Sequence, residues 1–299
     1  MHLNKITFKD KALFDKYLAF GEHQLSVYAF ANIYIWRKFF DINWIIIKDS
    51  LCVFFADNIG TFLYFPPLSK ANSVQVVEEA FKILDKNNKN VAFAHIENVE
   101  EKDLSFFQNL GYDCSLKAHD YICNSKDLAA LKGNKFKSKR ASCNYFTKHY
   151  NHKLQKLSLK YRGDCLKLYM LWMKQHKAHE QDHIYQGMLS DSQISLKEAF
   201  AKYAAFGFKG AVVKVDNIIK GFTFGFPLGK DTFCILYEIT DLTIKGLAQF
   251  IFRAFSQELI DYRYINIMDD SGLDNLKQVK LSYHPLRQVP AYIVRRKST

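Results

Sequence analysis

Two carboxylates three residues apart, Glu238 and Asp241, stand at the end of the run TFCILYEI (Thr232–Ile239), whose apolar residues read as a buried strand. A carboxylate leaving a strand end can take a proton from an amine nucleophile or hold a cationic amino group. The competing role is a pair of acids at the start of the following helix, where the helix dipole favours negative charge. A second polar group follows: Asn266, Asp269 and Asp270, then Lys280-Leu-Ser-Tyr-His-Pro285. Asn266, Asp269, Asp270, Ser282 and His284 are the substrate-binding candidates of this stretch. Tyr283 suits an aromatic anchor between helix and final strand, and His284, preceding a proline, is expected to be extended and exposed.

Lys132, Lys135, Lys137, Lys139 and Arg140 form the densest basic cluster, continued by Lys148, Lys153, Lys156, Lys160 and Arg162 with Phe136, Tyr145 and Phe146 interleaved. Such residues supply phosphate contacts, or a solvated helix face. In KQHKAHEQDH, His176, His179 and His183 fall at i, i+3 and i+7 beside Glu180 and Asp182. The spacing fits no recognised metal pattern, so the segment is read as a solvated polar helix end and no metal is assigned.

The elements that must position these residues occur in two rounds. The first predicts helices over Lys9–Ala19 and Ser26–Phe39, strands over Trp44–Lys48 and Leu51–Ala56 around an Asp49-Ser50 turn, and a strand over Gly60–Phe65. It continues with a helix Val74–Asn87 capped by Ser73, a strand Val91–Ile96 and a helix Glu101–Asn109. The second predicts helices over Lys126–Tyr150, Arg162–Gln175 and Ser195–Ala205, then a hairpin of Ala211–Val215 and Ile218–Phe226 around Asp216-Asn217. The strand Thr232–Ile239, the helix Lys245–Ile260, the strand Tyr264–Met268, the helix Leu273–Val279 and a closing strand Ala291–Arg295 complete it. The repeated order implies two mixed, mostly antiparallel sheets flanked by helices, divided as 1–122 and 123–299.

Composition bounds the partners. The chain has 299 residues, 48% hydrophobic and 15% aromatic, with 5 Pro and 13 Gly, which excludes disordered and low-complexity architectures. Its 42 basic and 30 acidic residues give a net charge of +12, suited to nucleic acid, an anionic membrane surface or a phosphorylated cofactor. No apolar run is long enough to span a bilayer, the N-terminus MHLNKITFKDK lacks a signal-peptide core, and the six cysteines contain no C-x-x-C pair. A cytoplasmic location is expected, with peripheral membrane contact left open.

The element order resembles that of GNAT acyltransferase domains. In those enzymes a Q/R-x-x-G-x-G/A loop between strand and helix binds the pyrophosphate of coenzyme A through backbone N–H groups. Here Gly246 and Ala248 fall at that spacing, and Thr243 stands where Gln or Arg is usual. Gly246 has an alternative use in close helix–sheet packing. The first half has Phe65-Pro-Pro-Leu-Ser69 at the equivalent place, where two prolines remove donors a phosphate needs. The second half is therefore the expected donor site, and the first is structural or binds the acceptor.

Several segments in order resemble the bacterial family of the phosphatidylglycerol lysyltransferase C-terminal domain: SVYAFANIYIWR (Ser26–Arg37), LYFPPL (Leu63–Leu68), DLAALKGNKFKSKRASCNYF (Asp127–Phe146), Gly221–Gly225, Glu238–Asp241 and YINIMDDSGLDNLKQVKLSYHP (Tyr264–Pro285). The sequence departs from the family where Ile267 and Met268 replace Arg and Glu, where Ile239 and Thr240 stand between the two acids, and where Ala141 replaces a common Asn.

The resemblance implies a tandem GNAT fold, shared with Fem-type aminoacyltransferases, and an acyltransferase that moves an aminoacyl group from a charged tRNA to an amine or hydroxyl acceptor. Glu238 or Asp241 would serve as base or amine binder, Tyr283 as general acid or carbonyl orienter, and Lys139 and Arg140 as donor-phosphate contacts. No tightly bound cofactor is implied. The co-substrate is aminoacyl-tRNA, docked on the basic segment 132–162, and the acceptor is a small molecule, peptide or protein. Acyl-coenzyme A as donor at Thr243, Gly246 and Ala248 is the first alternative. A non-catalytic binding protein on the same scaffold is the second, favoured by Ile267 and Met268.

Overall fold

A computed structural model describes residues 2–177 and 183–297. His179, Glu180 and Asp182 lie outside the described residues, as does the side chain of His183. No helix among the described residues is long and apolar enough to cross a membrane.

The chain forms two compact units. The first comprises the residues up to Asp120, Asp269–Gly272 and those from Val289 on; the second comprises Tyr121–Met268 and Leu273–Gln288. The expected division at 122/123 thus meets a chain that returns to its first unit twice.

In chain order the elements are β1 (Asn4–Lys5), α1 (Lys11–Leu18), α2 (Phe30–Tyr34), β2 (Asp41–Ile47), β3 (Ser50–Ala56), β4 (Thr61–Leu63), α3 (Val74–Asn87), β5 (His95–Glu100), α4 (Leu104–Asn109) and β6 (Asp113–Asn124). There follow α5 (Ser125–Ala130), α6 (Lys137–His149), β7 (His152–Lys156), α7 (Arg162–Lys177), α8 (His183–Ala201), β8 (Lys209–Val215), β9 (Ile218–Pro227) and β10 (Thr232–Thr240). The last are α9 (Leu247–Glu258), β11 (Tyr264–Asn266), α10 (Asp274–Leu281) and β12 (Arg287–Arg295).

Strands run in the order β1-β2-β3-β4-β5-β12 in the first unit and β7-β8-β9-β10-β11-β6 in the second. The two orders correspond, with one exchange. The closing strand β12, expected in the second half, pairs antiparallel with β5 of the first unit, Ala291 opposite Glu100. The end of β6 pairs antiparallel with β11 of the second, Ile265 opposite Cys123. The β4–β5 and β10–β11 pairs are parallel, and each parallel register is short.

Helical spacing builds both cores. Val76, Val77, Ala80, Phe81 and Leu84 form the buried stripe of α3 and pack with Phe54, Leu63, Ile96, Phe107 and Val294. Phe252 and Phe255 of α9 pack with Phe233, Ile235, Ile265 and Tyr283, while Leu247 and Ile251 meet Phe146, Val213 and Val215.

Several expected elements are shorter, for local reasons. The Ser26–Phe39 helix contracts to α2 because Ser26 N–H donates to the Asp120 carboxylate at 2.6 Å and the Ser26 carbonyl accepts from Asn32 Nδ2 at 3.0 Å. The long Lys126–Tyr150 helix breaks at Leu131 (φ 50°) and Gly133 (φ 87°). Arg140 binds both carbonyls there, and Arg253 binds those of Ala129 and Ala130, so the broken end is satisfied from outside. The expected strand Val91–Ile96 opens as a 3-10 turn, capped by the Asn90 side chain, before β5 begins at His95. The β2–β3 turn centres on Lys48 (φ 45°) and Asp49 (φ 62°), one residue before the expected pair, whereas the β8–β9 turn centres on Asp216 and Asn217 as expected.

Candidate active site

Strand β10 pairs with β11 over Thr232–Cys234 only, whereas its pairing with β9 continues to Thr240. A register shift between Ile235 and Tyr237 turns the remaining side chains. Tyr237 takes one face, its hydroxyl donating to the Ser192 carbonyl of α8 at 2.9 Å. Glu238 takes the other, where Lys139 of α6 and Lys280 of α10 act on its charge.

Glu238 is partly buried, and its Oε2 is shielded from solvent with no hydrogen-bond partner among the described residues. Burial pushes the carboxyl up to about 8, and the attraction of Lys139 and Lys280 does not offset it. Directly across the β9–β10 ladder is Thr223, fully buried, whose hydroxyl also lacks a partner. Opposed residues of an antiparallel pair share a face. Two buried polar atoms without a hydrogen-bond partner among the described residues therefore lie on one face of the sheet at this point.

The surrounding cations are fixed differently. Lys139 Nζ sits 4.1 Å above the Tyr283 ring, and burial lowers its ammonium below the usual lysine range although Cys143 and Glu238 pull it up. The Lys280 ammonium donates to the Ile267 carbonyl and, at 3.2 Å, to that of Met268. Tyr283 is buried against Phe252, ring centroids 4.4 Å apart. Burial, then the nearby Glu238, raises its hydroxyl well above the ordinary tyrosine value. The cluster sets a carboxyl with a raised pKa and a buried phenol beside the amino groups of Lys139 and Lys280, a setting suited to a developing oxyanion.

The other expected site residues divide sharply. Asp241 accepts from Gln175 Nε2 (3.0 Å), Lys220 Nζ (2.9 Å), Thr243 N (3.1 Å) and Thr243 Oγ1 (2.7 Å). Burial raises its carboxyl, but these donors outweigh it and bring the pKa to about 2. Asp241 thus organises the loop before α9 and consumes Thr243 in doing so. Gly246, at φ 82°, precedes α9, and a Cβ there would collide with the Ser142 carbonyl oxygen of α6. Close packing therefore requires this glycine. Ala248, partly buried, lies in the first turn of α9.

Arg140 is held by the Leu131 and Gly133 carbonyls. Asn266 is buried and its Oδ1 accepts from Met268 N at 2.6 Å, supporting the left-handed Met268 (φ 61°). Asp269 and Asp270 belong to the first unit and accept from Ser271 N at 2.7 Å and Gly272 N at 3.0 Å. Ser282 Oγ donates to the Val279 carbonyl at 2.6 Å. His284 is exposed but not extended: its φ is 51°, its N–H returns to the Leu281 carbonyl, and its Nε2 donates to the Lys135 carbonyl at 3.1 Å. The structure therefore gathers Glu238, Tyr283 and Lys139, while the other expected residues apart from Ala248 are engaged by hydrogen bonds or close packing within the protein.

Lys280 and Thr223 were not singled out from sequence. Lys280 had a signal, since it stands two residues before Ser282 in the KLSYHP segment that carries the family resemblance; Thr223 lies within Gly221–Gly225, another such segment.

A family model described as "Phosphatidylglycerol lysyltransferase, C-terminal" matches residues 19–295. A conserved protein of unknown function from Bacteroides thetaiotaomicron superposes with a TM-score of 0.88 at 24% identity, over 99% of both chains. The structure of L-PGS from Bacillus licheniformis gives 0.68 at 16% identity, over 99% of this chain and 94% of that one. FemX gives 0.61 at 10% identity, over 98% and 97%. A search of curated proteins yields no significant match. The fold is the tandem GNAT, Fem-type fold, and the chain is an acyltransferase of that general type. The match across nearly the whole sequence places this protein in the phosphatidylglycerol lysyltransferase C-terminal family.

Proposed function

We propose that the second unit transfers an aminoacyl group from a charged tRNA to an amine or hydroxyl acceptor. One observation carries this reading: a carboxyl held near pKa 8 with an unpartnered oxygen, beside two lysines and a buried tyrosine. Ester aminolysis or transesterification needs orientation, a base and charge stabilisation rather than an enzyme nucleophile.

In this scheme ionised Glu238 takes the proton of the attacking acceptor as its nitrogen or oxygen bonds to the ester carbonyl carbon. Lys139 stabilises the oxyanion. Tyr283, whose raised pKa keeps it protonated, gives its proton to the departing ribose oxygen as the carbon–oxygen bond breaks. Lys132, Lys137, Lys148, Lys153, Lys156, Lys160 and Arg162 are all exposed and available for phosphate contacts. Against acyl-coenzyme A as donor stands the loop before α9, where Thr243 is bound to Asp241 and Gly246 is pressed on Ser142.

The test is discharge of a mixed pool of charged tRNA in the presence of amine and hydroxyl acceptors, with Glu238→Gln alongside. Discharge that is lost in the variant while tRNA binding persists supports the reading. Saturable coenzyme A binding without tRNA binding, or an equally active variant, contradicts it.

A further inference from the structure

The first unit contains a pocket of about 210 Å³ between the segment around His23 and the loop that leads from Pro66 towards α3. That is smaller than the roughly 300–1,000 Å³ of sites for drug-sized ligands, and suits a small metabolite. Tyr17, Phe20, Pro66 and Pro67 form apolar walls, and His23 lines it.

The His23 ring is held from two sides. Its Nδ1 lies 2.8 Å from Glu100 Oε2, and its face stacks on Tyr28 with centroids 4.0 Å apart and planes 8° from parallel. Tyr28 stacks in turn on Phe65 and donates its hydroxyl to the Asn98 carbonyl at 2.7 Å. Glu100 also accepts from Gln24 N at 2.9 Å and pairs with Lys102 at 2.7 Å, so its position is fixed as well. Nδ1 is engaged by the carboxylate, and Nε2, the other polar atom of the ring, has no hydrogen-bond partner among the described residues. Gly21 keeps that edge clear, since a Cβ there would lie 3.2 Å from Nε2. An imidazole oriented by a carboxylate and left open on its far nitrogen is arranged to meet a ligand.

The rim carries charges of both signs, Asp103 and Lys70 among them. The rim acid Asp103 is engaged by Asn72 Nδ2 at 3.2 Å. Lys70, exposed beside Phe20, has no carboxylate partner among the described residues. We propose that this pocket binds a small hydroxylated anion, a hydroxy acid or sugar phosphate, whose hydroxyl hydrogen-bonds to His23 Nε2 and whose anionic group is held by Lys70. The proposal concerns the first unit alone and does not depend on the transfer reaction assigned to the second.

The experiment is NMR titration of full-length protein labelled with 15N-histidine, using glycerate and ribose 5-phosphate as probes and glycerol, acetate and inorganic phosphate as controls. His23→Asn identifies the His23 signal. Saturable movement of the His23 Nε2 signal with glycerate, ribose 5-phosphate or both, but with no control, is expected. Lys70→Glu, an exposed change that leaves the fold intact, should weaken that binding about tenfold, the value of one charge-assisted hydrogen bond. Gly21→Val should abolish it by covering Nε2. The proposal is overturned if neither probe moves His23, if a control moves it equally, or if Lys70→Glu binds as well as the parent.

Discussion

The two parallel strand pairs invite comparison. In the first unit β4 and β5 meet at Leu63 and Ile96, and two residues later Asn98 is left-handed at φ 52°. In the second β10 and β11 last meet at Cys234 and Asn266, and two residues later Met268 is left-handed at φ 61°. The backbone device is the same but the polar accounting differs. Asn98 donates to the Tyr64 carbonyl at 2.7 Å and accepts from Lys117 at 2.9 Å.

The two acids on β5 are equally well supplied. Burial pushes Glu97 up, yet His95 and Lys117 bring it to about 2, and Glu100 is likewise lowered by His23, Lys102 and the Gln24 N–H against its burial. Glu238 has the charges nearby but not the hydrogen bonds, and it stands near 8. Satisfied carboxylates hold a fold together, whereas an unsatisfied one is poised for a substrate.

Glu238→Gln should give the largest effect, a loss of transfer of about 100-fold or more, the usual contribution of a general base. The same change should stabilise the protein at alkaline pH. A carboxyl raised from about 4.3 unfolded to about 8 folded binds its proton more tightly in the native state, so stability is full below the lower value and falls as pH rises through the higher. Melting curves at pH 5 and 8.5 should show the parent losing stability across that span and the variant losing less. Activity of the parent should rise through about pH 8 as the base ionises.

Asp241→Asn should act in the opposite sense, costing about 3 kcal/mol in denaturant unfolding, because it leaves Lys220 without its buried partner. Asp241 stabilises above its unfolded pKa of about 3.9 and loses that contribution as pH falls through about 2, so the deficit of the variant should shrink in acid.

Gly246→Ala should cost about 2 kcal/mol, from the left-handed backbone and the collision with Ser142, without changing the chemistry at Glu238. Lys139→Met should lower kcat about 100-fold and leave melting nearly unchanged, since it removes one oxyanion-stabilising charge. The smallest effect belongs to the first unit. Lys117→Met removes a half-buried ion pair with Glu97 and the hydrogen bond to Asn98 and should cost about 1 kcal/mol with no effect on transfer.

The repeated element order was legible because hydrophobic periodicity is local: α3, the β8–β9 hairpin and β10 were all placed from it. The exchange of β12 and the end of β6 was not, because strand partnership is set by tertiary pairing that local pattern does not encode. Glu238 was legible as half of a pair with Asp241. What separates them, one with four donors and the other with an orphaned oxygen, depends on Gln175 and Lys220, which lie far from it in the chain. The surroundings of Arg140 are set in the same way. A charge in a basic run looks solvated until the broken end of α5 supplies carbonyls for it to bind.

The central claim is that Glu238 carries an unpartnered carboxyl with a strongly raised pKa. Carboxyl-carbon NMR titration of 13C-glutamate-labelled protein, with Glu238→Gln to identify the signal, tests it directly. The account expects Glu238 to titrate near pH 8, while Glu97 and Glu100 titrate below the ordinary glutamate value. A Glu238 midpoint at or below about 4.5 would contradict it, and would return this carboxylate to the same structural role as those of the first unit.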